Sequence, residues 1–380
     1  MKTNQLFLII FLFFICSAYS QIDNKKPIDE SNFNSDTIKN RLERLNAKTP
    51  IELYFTPSVE KTIKRYLNTR VEFYKKNIDK INYYLPLFEE QLQNQKIPVE
   101  IKYLPIIESR LDPTAVSKVG ATGLWQFMFY TALENGLTMN SYVDERMDPD
   151  KSTAAAALYL NKLFKIHNDW NLVLASYNAG PRTISRAKKK SGGYTNYWNI
   201  RPFLPLETAN YIPSFVSTMY ILEYANEHGI NTYKNQEKTL NTEKIIIKDK
   251  IAFEHVSNFF NYSKDLINSL NPSYIHGIVP GNNQNELTLP AELVEKFVNQ
   301  EEEFYTFVNS EFGKREKPLP DLYSIDSKLV YKVKYGEFLG KIARKFGVKV
   351  SEIKRWNNLK NDNIKENQKL IIFPKRIPKS

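Results

Sequence analysis

The spacing of apolar residues in this chain of 380 residues first becomes regular after residue 57. From there to about residue 95, apolar side chains recur at steps of three and four, which is the spacing of one face of an amphipathic helix. The series consists of Ile63, Leu67, Val71, Tyr74, Ile78, Ile81, Leu85, Phe88 and Leu92. Residues 49–97 are therefore predicted to form an N-terminal helical segment.

Helical spacing continues to about residue 229, and no stretch of this region alternates convincingly between apolar and polar residues. Helices are predicted from Pro98 to just before Pro113, over residues 124–133, from Ser152 to Tyr177 and over residues 207–227. Three consecutive lysines, residues 188–190, are expected to lie in a solvated loop. The pattern indicates an all-α region over residues 98–232.

Beyond residue 240 the pattern changes to short β-like runs that flank short helices. Two stretches align with a constant shift of 86 positions, and both close with an apolar run before a proline. The matched pairs include Ile247 with Val333, Phe253 with Leu339, Val256 with Ile342, Phe260 with Phe346, Ile267 with Ile353 and Asn271 with Asn357. They predict two β-α-α-β modules, a degenerate one over residues 240–292 and a second over 328–375, joined by a linker over 293–327.

The start of the chain has the pattern of a secretory signal peptide. Lys2 precedes a run of Leu, Ile and Phe that is too short to span a bilayer comfortably, and small residues follow. Cleavage after Ser20 is predicted, so that residues 1–20 would be removed and residues 21–48 would form a polar linker. Acylation of Cys16 is an alternative that would attach the chain to the outer membrane, although the preceding Ile15 is bulkier than lipoprotein signals normally allow.

Charge limits the expected partners, and cysteine content limits how the fold can be stabilised. The formal net charge is +11 at pH 7, and an exported basic protein is expected to meet anionic polymers of the cell envelope rather than nucleic acid. Cys16 is the sole cysteine, so cleavage after Ser20 would leave no thiol for a disulfide or for a thiolate metal site. The fold is then expected to depend on packing alone.

A single carboxylate has a pattern that suggests catalysis. Ile97, Ile101, Leu104 and Glu108 follow one another at steps of four, three and four, so Glu108 continues an apolar helix face. Desolvation would raise the pKa of a carboxyl group in that position, which is what a general acid near neutral pH requires. The alternative is a glutamate at the end of a helix whose side chain reaches solvent.

Four motifs in order resemble those of the soluble lytic transglycosylases, lysozyme-like enzymes that cleave bacterial peptidoglycan. They read ESRLDPTAVSKVGATGLWQFM, DPDKSTAAAALYL, NLVLASYNAGP and LETANYIPSF. The stretch over residues 329–374 resembles a LysM module, a small domain that binds glycans containing N-acetylglucosamine. The resemblance implies a mainly α fold, in which a lysozyme-like all-α catalytic domain is followed by small α+β modules.

The resemblance also implies roles for individual residues. Glu108 would be the catalytic acid, and the residues implied to bind substrate are Ser117, Gln126, Met128, Tyr177, Asn178, Glu207 and Tyr211. Of these, Tyr177 is expected to place its hydroxyl close to the glutamate, and Tyr211 is the least certain member. Each has a purely structural alternative, such as a helix cap for Glu207 or a C-terminal turn for Asn178.

One carboxylate is fewer than most glycosidases use. Asp112 precedes a proline and is better explained as a turn residue. The family resolves this shortage by substrate assistance: the glutamate protonates the leaving oxygen and then deprotonates the sugar's own C6 hydroxyl, which closes a 1,6-anhydro ring. Neither a metal ion nor an organic cofactor is implied.

Two alternatives to a lytic transglycosylase stay open: a hydrolase of the goose-lysozyme kind, and a non-catalytic scaffold that only grips glycan. In each case the expected partner is the glycan strand of peptidoglycan, and the chain is expected to be a periplasmic monomer. The LysM-like stretch departs from its family at Phe338, where a small hydroxyl residue normally caps the helix. Glycan binding by either module therefore stays open.

Overall fold

A computed structural model describes residues 34–231, 241–281, 284–314 and 328–376 of the chain. The predicted signal peptide and residues 21–33 of the predicted linker lie outside these ranges. In the described part, helices predominate and the strands form three sheets of two strands each. The fold is thus mainly α with small α+β modules, as predicted. None of the described helices combines the length and the apolar character needed to cross a membrane.

The first helices pack as a layer against the cleft-bearing region. Their bounds are α1, Ser35–Asn46; α2, Pro57–Thr69; α3, Val71–Lys76; and α4, Ile78–Asn94. Thr56 caps α2 through its side chain, and Pro57 occupies the first helical position, where no backbone donor is needed. The apolar face predicted from the sequence is buried, since Ile63, Leu67 and Phe88 are at most 1% exposed.

The central region is built from short helices around a buried core. A 3-10 helix over Val99–Tyr103 leads into α5, Leu104–Ser109, and the remaining helices are α6, Phe129–Glu134; α7, Pro149–His167; α8, Trp170–Ala179; α9, Pro181–Lys190; α10, Tyr197–Ile200; α11, Leu206–Ala209; and α12, Tyr211–Glu223. Further 3-10 turns cover Arg201–Phe203 and Asn226–His228. The helix α12 is buried on nearly every side and packs against α2, α5 and α8. This core holds the end of α5, and with it Glu108, in place.

Two β-α-α-β modules follow, and each has a small hydrophobic core. The first comprises β1, Thr242–Ile247; β2, Ile251–Ala252; α13, Phe253–Phe260; α14, Lys264–Leu270; β3, Ile278–Val279; β4, Asn285–Pro290; α15, Ala291–Asn299; and α16, Glu301–Phe312. The second comprises β5, Leu329–Lys332; α17, Leu339–Phe346; α18, Val350–Trp356; and β6, Lys369–Ile372. Antiparallel pairing joins β1 to β4, β2 to β3 and β5 to β6.

The linker predictions are wrong for two stretches that form helices. Residues 35–46 form α1, which buries Ile38, Leu42 and Leu45 at steps of four and three on one face. The linker predicted over 293–327 instead contains most of α15 and all of α16, which complete the core of the first module. Both stretches carry many charged residues, and their polar faces concealed a narrow apolar stripe.

Two local predictions are also wrong. No helix covers Leu124 to Met128, because Gly123 and Gln126 both adopt positive φ angles, and the helix begins only at Phe129. The lysines at residues 188–190 form the last turn of α9 rather than a loop. Cations are favoured there because the helix dipole places partial negative charge at its C-terminal end.

Candidate active site

Glu108 lies in the last turn of α5, and an unusual backbone ends that helix directly after it. Arg110 and Leu111 both adopt left-handed conformations, with φ of 58° for each. Non-glycine residues rarely adopt such angles, and they persist where the surroundings enforce them. Leu111 is fully buried, so its packing compensates for the strain. The chain thus leaves α5 immediately after Glu108 and turns into the loop that faces it.

Burial raises the pKa of the Glu108 carboxyl group to about 7. A hydrogen bond from the hydroxyl of Tyr211 to Oε1 of Glu108 opposes that shift, and the negative charge of Glu207 adds to it. A carboxyl group with this pKa is populated in both protonation states near neutral pH. It can therefore donate a proton and later accept one, which the same group must do in an acid-then-base reaction.

The two tyrosines near Glu108 have different partners from those expected. Tyr211 donates to the carboxylate, although it was the least certain member of the implied set. Tyr177 instead donates to the backbone oxygen of Trp125 at 2.7 Å. Burial raises the pKa of Tyr177 well above its ordinary value, and the charge of Glu108 raises it further. Tyr177 is thus close to the carboxylate but bonded to the loop that carries Trp125.

The loop over residues 115–127 is held together by its own polar groups. Ser117 accepts a hydrogen bond from the backbone of Ala121 at 3.0 Å. Gln126 donates through Nε2 to the backbone oxygens of Gly123 at 2.9 Å and Ala115 at 3.2 Å. These contacts give Ser117 and Gln126 a role in shaping the loop. Met128 follows the loop with 42% of its surface exposed, where it is free to meet a ligand.

Gly123 has a conformation and an environment that admit no side chain. Its φ is 85°, and a β-carbon at this position would lie 1.8 Å from the backbone oxygen of Arg146. The side chain of Arg146 is 2% exposed, forms an ion pair with Asp144 at 2.7 Å and donates to the backbone oxygens of Gly120 at 3.0 Å and Phe127 at 3.3 Å. Sequence reasoning missed Arg146, although a charged pair within a buried stretch was a usable signal.

The remaining implied residues lie where α8 meets α11. Asn178, near the end of α8, accepts a hydrogen bond from the hydroxyl of Thr208 at 2.8 Å. Glu207 precedes Thr208 in the first turn of α11, and its side chain is exposed. Its charge acts on Glu108 and Tyr211, but no hydrogen bond joins Glu207 to either in the described structure. Asp112 uses its carboxylate to accept from Thr114, as a turn residue does.

The geometry therefore brings Glu108, Tyr211 and Tyr177 close together, and Tyr177 joins them to the loop that carries Ser117 and Gln126. Within the described residues, no group of three or more His, Cys, Asp or Glu side chains is arranged to hold a metal ion. The chemistry that this arrangement supports is proton transfer by one desolvated carboxyl group, assisted by a tyrosine hydroxyl.

Comparison with known protein families agrees with this geometry. Residues 86–199, which include Glu108, the 115–127 loop and Tyr177, match the family described as Transglycosylase SLT domain. The chain carries an SLT domain. Residues 241–306 match the family described as Lytic transglycosylase MltD, LysM-like domain, and residues 331–373 match the LysM domain. Glu207 and Tyr211 follow the matched part of the SLT domain, so their roles depend on the geometry alone.

Similarity to a named relative extends over most of the chain. The chain is 27% identical over 287 residues to membrane-bound lytic murein transglycosylase D of Escherichia coli strain K12. The aligned part covers 74% of this chain and 61% of that protein. Thus the chain spans less than two thirds of the length of this relative. This similarity confirms the resemblance to lytic transglycosylases predicted from the sequence.

Solved structures of lytic transglycosylases are more distant. The 70 kDa soluble lytic transglycosylase Slt70 from Escherichia coli is 21% identical, with a TM-score of 0.34. The match covers 45% of this chain and 31% of the Slt70 chain. An inactive mutant of the lytic transglycosylase Slt from Pseudomonas aeruginosa is 19% identical, covers 50% of this chain and 35% of its own and gives 0.35. Similarity of this extent adds nothing to the assignment made from the SLT domain.

Proposed function

We propose that this protein is a peptidoglycan lytic transglycosylase that cleaves the β-1,4 bond between N-acetylmuramic acid and N-acetylglucosamine without water. The observation that carries the proposal is the Glu108 carboxyl group, desolvated, bonded to Tyr211 and lying in an SLT domain. Its pKa of about 7 suits a group that must act first as an acid and then as a base.

The proposed reaction has two proton transfers, both at Glu108. In the first, the protonated carboxyl group gives its proton to the glycosidic oxygen as the bond from that oxygen to C1 of the muramic acid breaks. In the second, the carboxylate removes the proton of the C6 hydroxyl, and O6 forms a bond to C1. The products are a free hydroxyl on one fragment and a 1,6-anhydro ring on the other, and Glu108 ends protonated as it began.

Tyr211 and Glu207 are proposed to tune this carboxyl group. The hydroxyl of Tyr211 stabilises the carboxylate formed after the first transfer, since its hydrogen bond lowers the pKa of Glu108. Glu207 has the opposite effect through its charge, and its exposed side chain is available to contact sugar at the rim of the cleft. Ser117, Gln126, Met128, Tyr177 and Asn178 are proposed to line the sugar sites, with the first two acting through the shape of the loop.

The proposed place of action is the cell envelope, facing peptidoglycan. The secretory pattern of residues 1–20, the relative named membrane-bound lytic murein transglycosylase D and the LysM domain support this location. The proposed partner is the glycan strand, and the proposed state is a monomer. Labelling of the cells with a radioactive fatty acid would show whether Cys16 is acylated or removed.

Product analysis tests the function. Purified peptidoglycan digested by the wild-type protein is expected to release fragments lighter by one water than hydrolysis products, with anhydro ends detected by mass spectrometry. Reducing muramic acid ends would instead identify a hydrolase. The Glu108→Gln variant is expected to lose turnover by a factor of at least about 10³, since its only proton donor is gone, while still binding peptidoglycan in pull-down assays. Full activity of Glu108→Gln would refute the proposal.

The pH dependence tests the role of Tyr211. The acid step needs protonated Glu108, so activity is expected to decline as the pH rises through about 7. Tyr211→Phe removes a hydrogen bond that lowers the pKa of Glu108, and the alkaline limb of the profile should therefore move to higher pH. Tyr177→Phe serves as the matched control, because Tyr177 donates to Trp125 and not to Glu108. Equal shifts in both variants would contradict the assignment of Tyr211.

A further inference from the structure

The outer face of α9 carries a row of cations that begins just after the end of α8, the helix that carries Tyr177 and Asn178. Arg182, Arg186 and Lys189 follow one another at steps of four and three, and all three are exposed. This spacing places them on one face of the helix. Ile184 and Ala187 are buried and anchor the opposite face. The helix contains five basic residues and no acidic one, so the face presents positive charge alone.

Neighbouring residues do not neutralise this row. Among the residues that the structure describes, no carboxylate forms an ion pair with Arg182, Arg186 or Lys189. The helix dipole explains a lysine in the last turn but not Arg182, which lies in the first turn, where the dipole disfavours a cation. Helix stability is therefore not the reason for a row of cations that extends to the start of α9.

The start of α9 is fixed to the end of α8. Thr183 donates through its hydroxyl to the backbone oxygen of Ala179 at 2.8 Å, and so ties the first turn of α9 to the end of α8. Asn178, the residue before Ala179, accepts a hydrogen bond from the hydroxyl of Thr208 and so joins α8 to α11. From Arg182 to Lys189 the row extends about 10 Å away from this point, at a rise of about 1.5 Å per residue. It thus leads away from the end of α8 over the surface.

We propose that the cationic face formed by Arg182, Arg186 and Lys189 binds the carboxylate-bearing stem peptides of peptidoglycan, and that the protein therefore acts preferentially on strands that retain their stems. This inference rests on the proposed function and deepens it by naming the substrate class. The stem is attached to the muramic acid at which cleavage is proposed, and an extended peptide of about four residues spans roughly 13 Å. That length matches the row, and its carboxylates complement the charge of the row.

The test compares two substrates that differ only in the stems. Intact glycan strands are prepared with stem peptides, and half of the sample is treated with an amidase to remove them. The triple variant Arg182→Gln/Arg186→Gln/Lys189→Gln is expected to lose about ten-fold in kcat/KM on stem-bearing strands at low salt, mainly through KM. Its kcat/KM on stem-free strands should stay within two-fold of the wild type. Added salt should reduce the preference of the wild type, because it screens exposed charges.

Two further variants isolate the cause. Lys61→Gln/Lys76→Gln/Lys80→Gln removes the same number of exposed charges from α2, α3 and α4, and it should leave the stem preference unchanged. Arg182→Lys/Arg186→Lys/Lys189→Arg keeps the charge and should restore most of the preference. An equal loss on both substrates, or an equal effect of the control variant, would overturn the inference. The inference would also be overturned if the triple variant kept the preference for stem-bearing strands but no longer bound anionic vesicles, since the face would then bind a lipid surface.

Failure of this inference is separable from failure of the proposed function. If the wild type cleaves both substrates to anhydro products and the triple variant shows no change of preference, only the role of α9 is wrong. If the wild type forms no anhydro product from either substrate, the proposed function itself is wrong.

Discussion

The two β-α-α-β modules share one local plan and differ in their surroundings. Helix α13 maps onto α17 and α14 onto α18 with the constant shift of 86 positions, residue for residue. Asn271 and Asn357 also act alike, since each donates to the helix before it and exchanges hydrogen bonds with the last strand of its module. The alignment made from sequence therefore identifies equivalent residues.

The first module is joined to the SLT domain, whereas the second closes a core of its own. Tyr142 and Val143 of the SLT region belong to the hydrophobic core of the first module. The backbone of Asp144 donates to Ser273 at 2.9 Å, and that of Ile275 donates to Tyr142 at 2.9 Å. No residue outside 329–372 belongs to the buried core of the second module among the described residues. Equivalent sequence patterns therefore build a core shared with the SLT region in the first module and a core made of the module's own residues in the second.

This docking reaches the active-site loop. Asp144, whose backbone meets the first module, also holds Arg146, and Arg146 supports the loop at Gly120 and Phe127. The first module is therefore expected to affect catalysis through the loop.

The largest expected difference concerns two valines. Val143 of the SLT region packs into the core of the first module, and Val330 belongs to the second module. Val143 is 5% exposed in the docked interface, whereas Val330 is 56% exposed on the outer side of β5. Val143→Asp would bury an unpaired carboxylate and is expected to lower the free energy of unfolding by about 3 kcal/mol or more. Val330→Asp should change it by less than about 0.5 kcal/mol. Urea denaturation of both variants measures this, and equal effects would show that the first module is not docked.

A smaller difference is expected at the paired asparagines. Asn271→Ala and Asn357→Ala each remove three hydrogen bonds, but Asn271 is 4% exposed whereas Asn357 is partly open to solvent. Water can replace the lost partners only at the second site, so the expected cost is about 3 kcal/mol for Asn271→Ala and about 1 kcal/mol for Asn357→Ala. Asn271→Ala should also lower the rate of anhydro product formation. An equal or larger cost at Asn357 would reverse the comparison.

The smallest effect is expected at the helix caps. Phe338 has an extended backbone at the cap of α17 but provides no side-chain hydrogen bond, as predicted from the sequence. Phe338→Ser is expected to stabilise the second module by about 1 kcal/mol, since a serine hydroxyl can accept from the first turn. The equivalent Ala252→Ser should stabilise the first module less, because Ala252 is 6% exposed and its new hydroxyl would be desolvated. Thermal denaturation compares the two, and destabilisation by Phe338→Ser would refute the cap argument.

Much of the fold followed from local periodicity. The apolar faces of α2 and α4, the two repeated modules and the position of Glu108 at the end of a stripe were all predicted, because helix and strand spacing are properties of neighbouring residues. The helices α1, α15 and α16 were missed where charged residues outnumbered a narrow apolar stripe. In these stretches burial against distant parts of the chain, rather than local composition, stabilises the helix.

The sequence by itself identified Glu108 as the candidate for the proposed chemistry, since this acid continues an apolar stripe and begins a motif that resembles the lytic transglycosylases. Only the tertiary structure decided how that acid is tuned. Tyr211 reaches Glu108 across 103 positions of chain, while Tyr177 binds the backbone at Trp125. Which hydroxyl lies closest depends on how α5, α8 and α12 pack, and packing is a property of contacts between residues far apart in the chain.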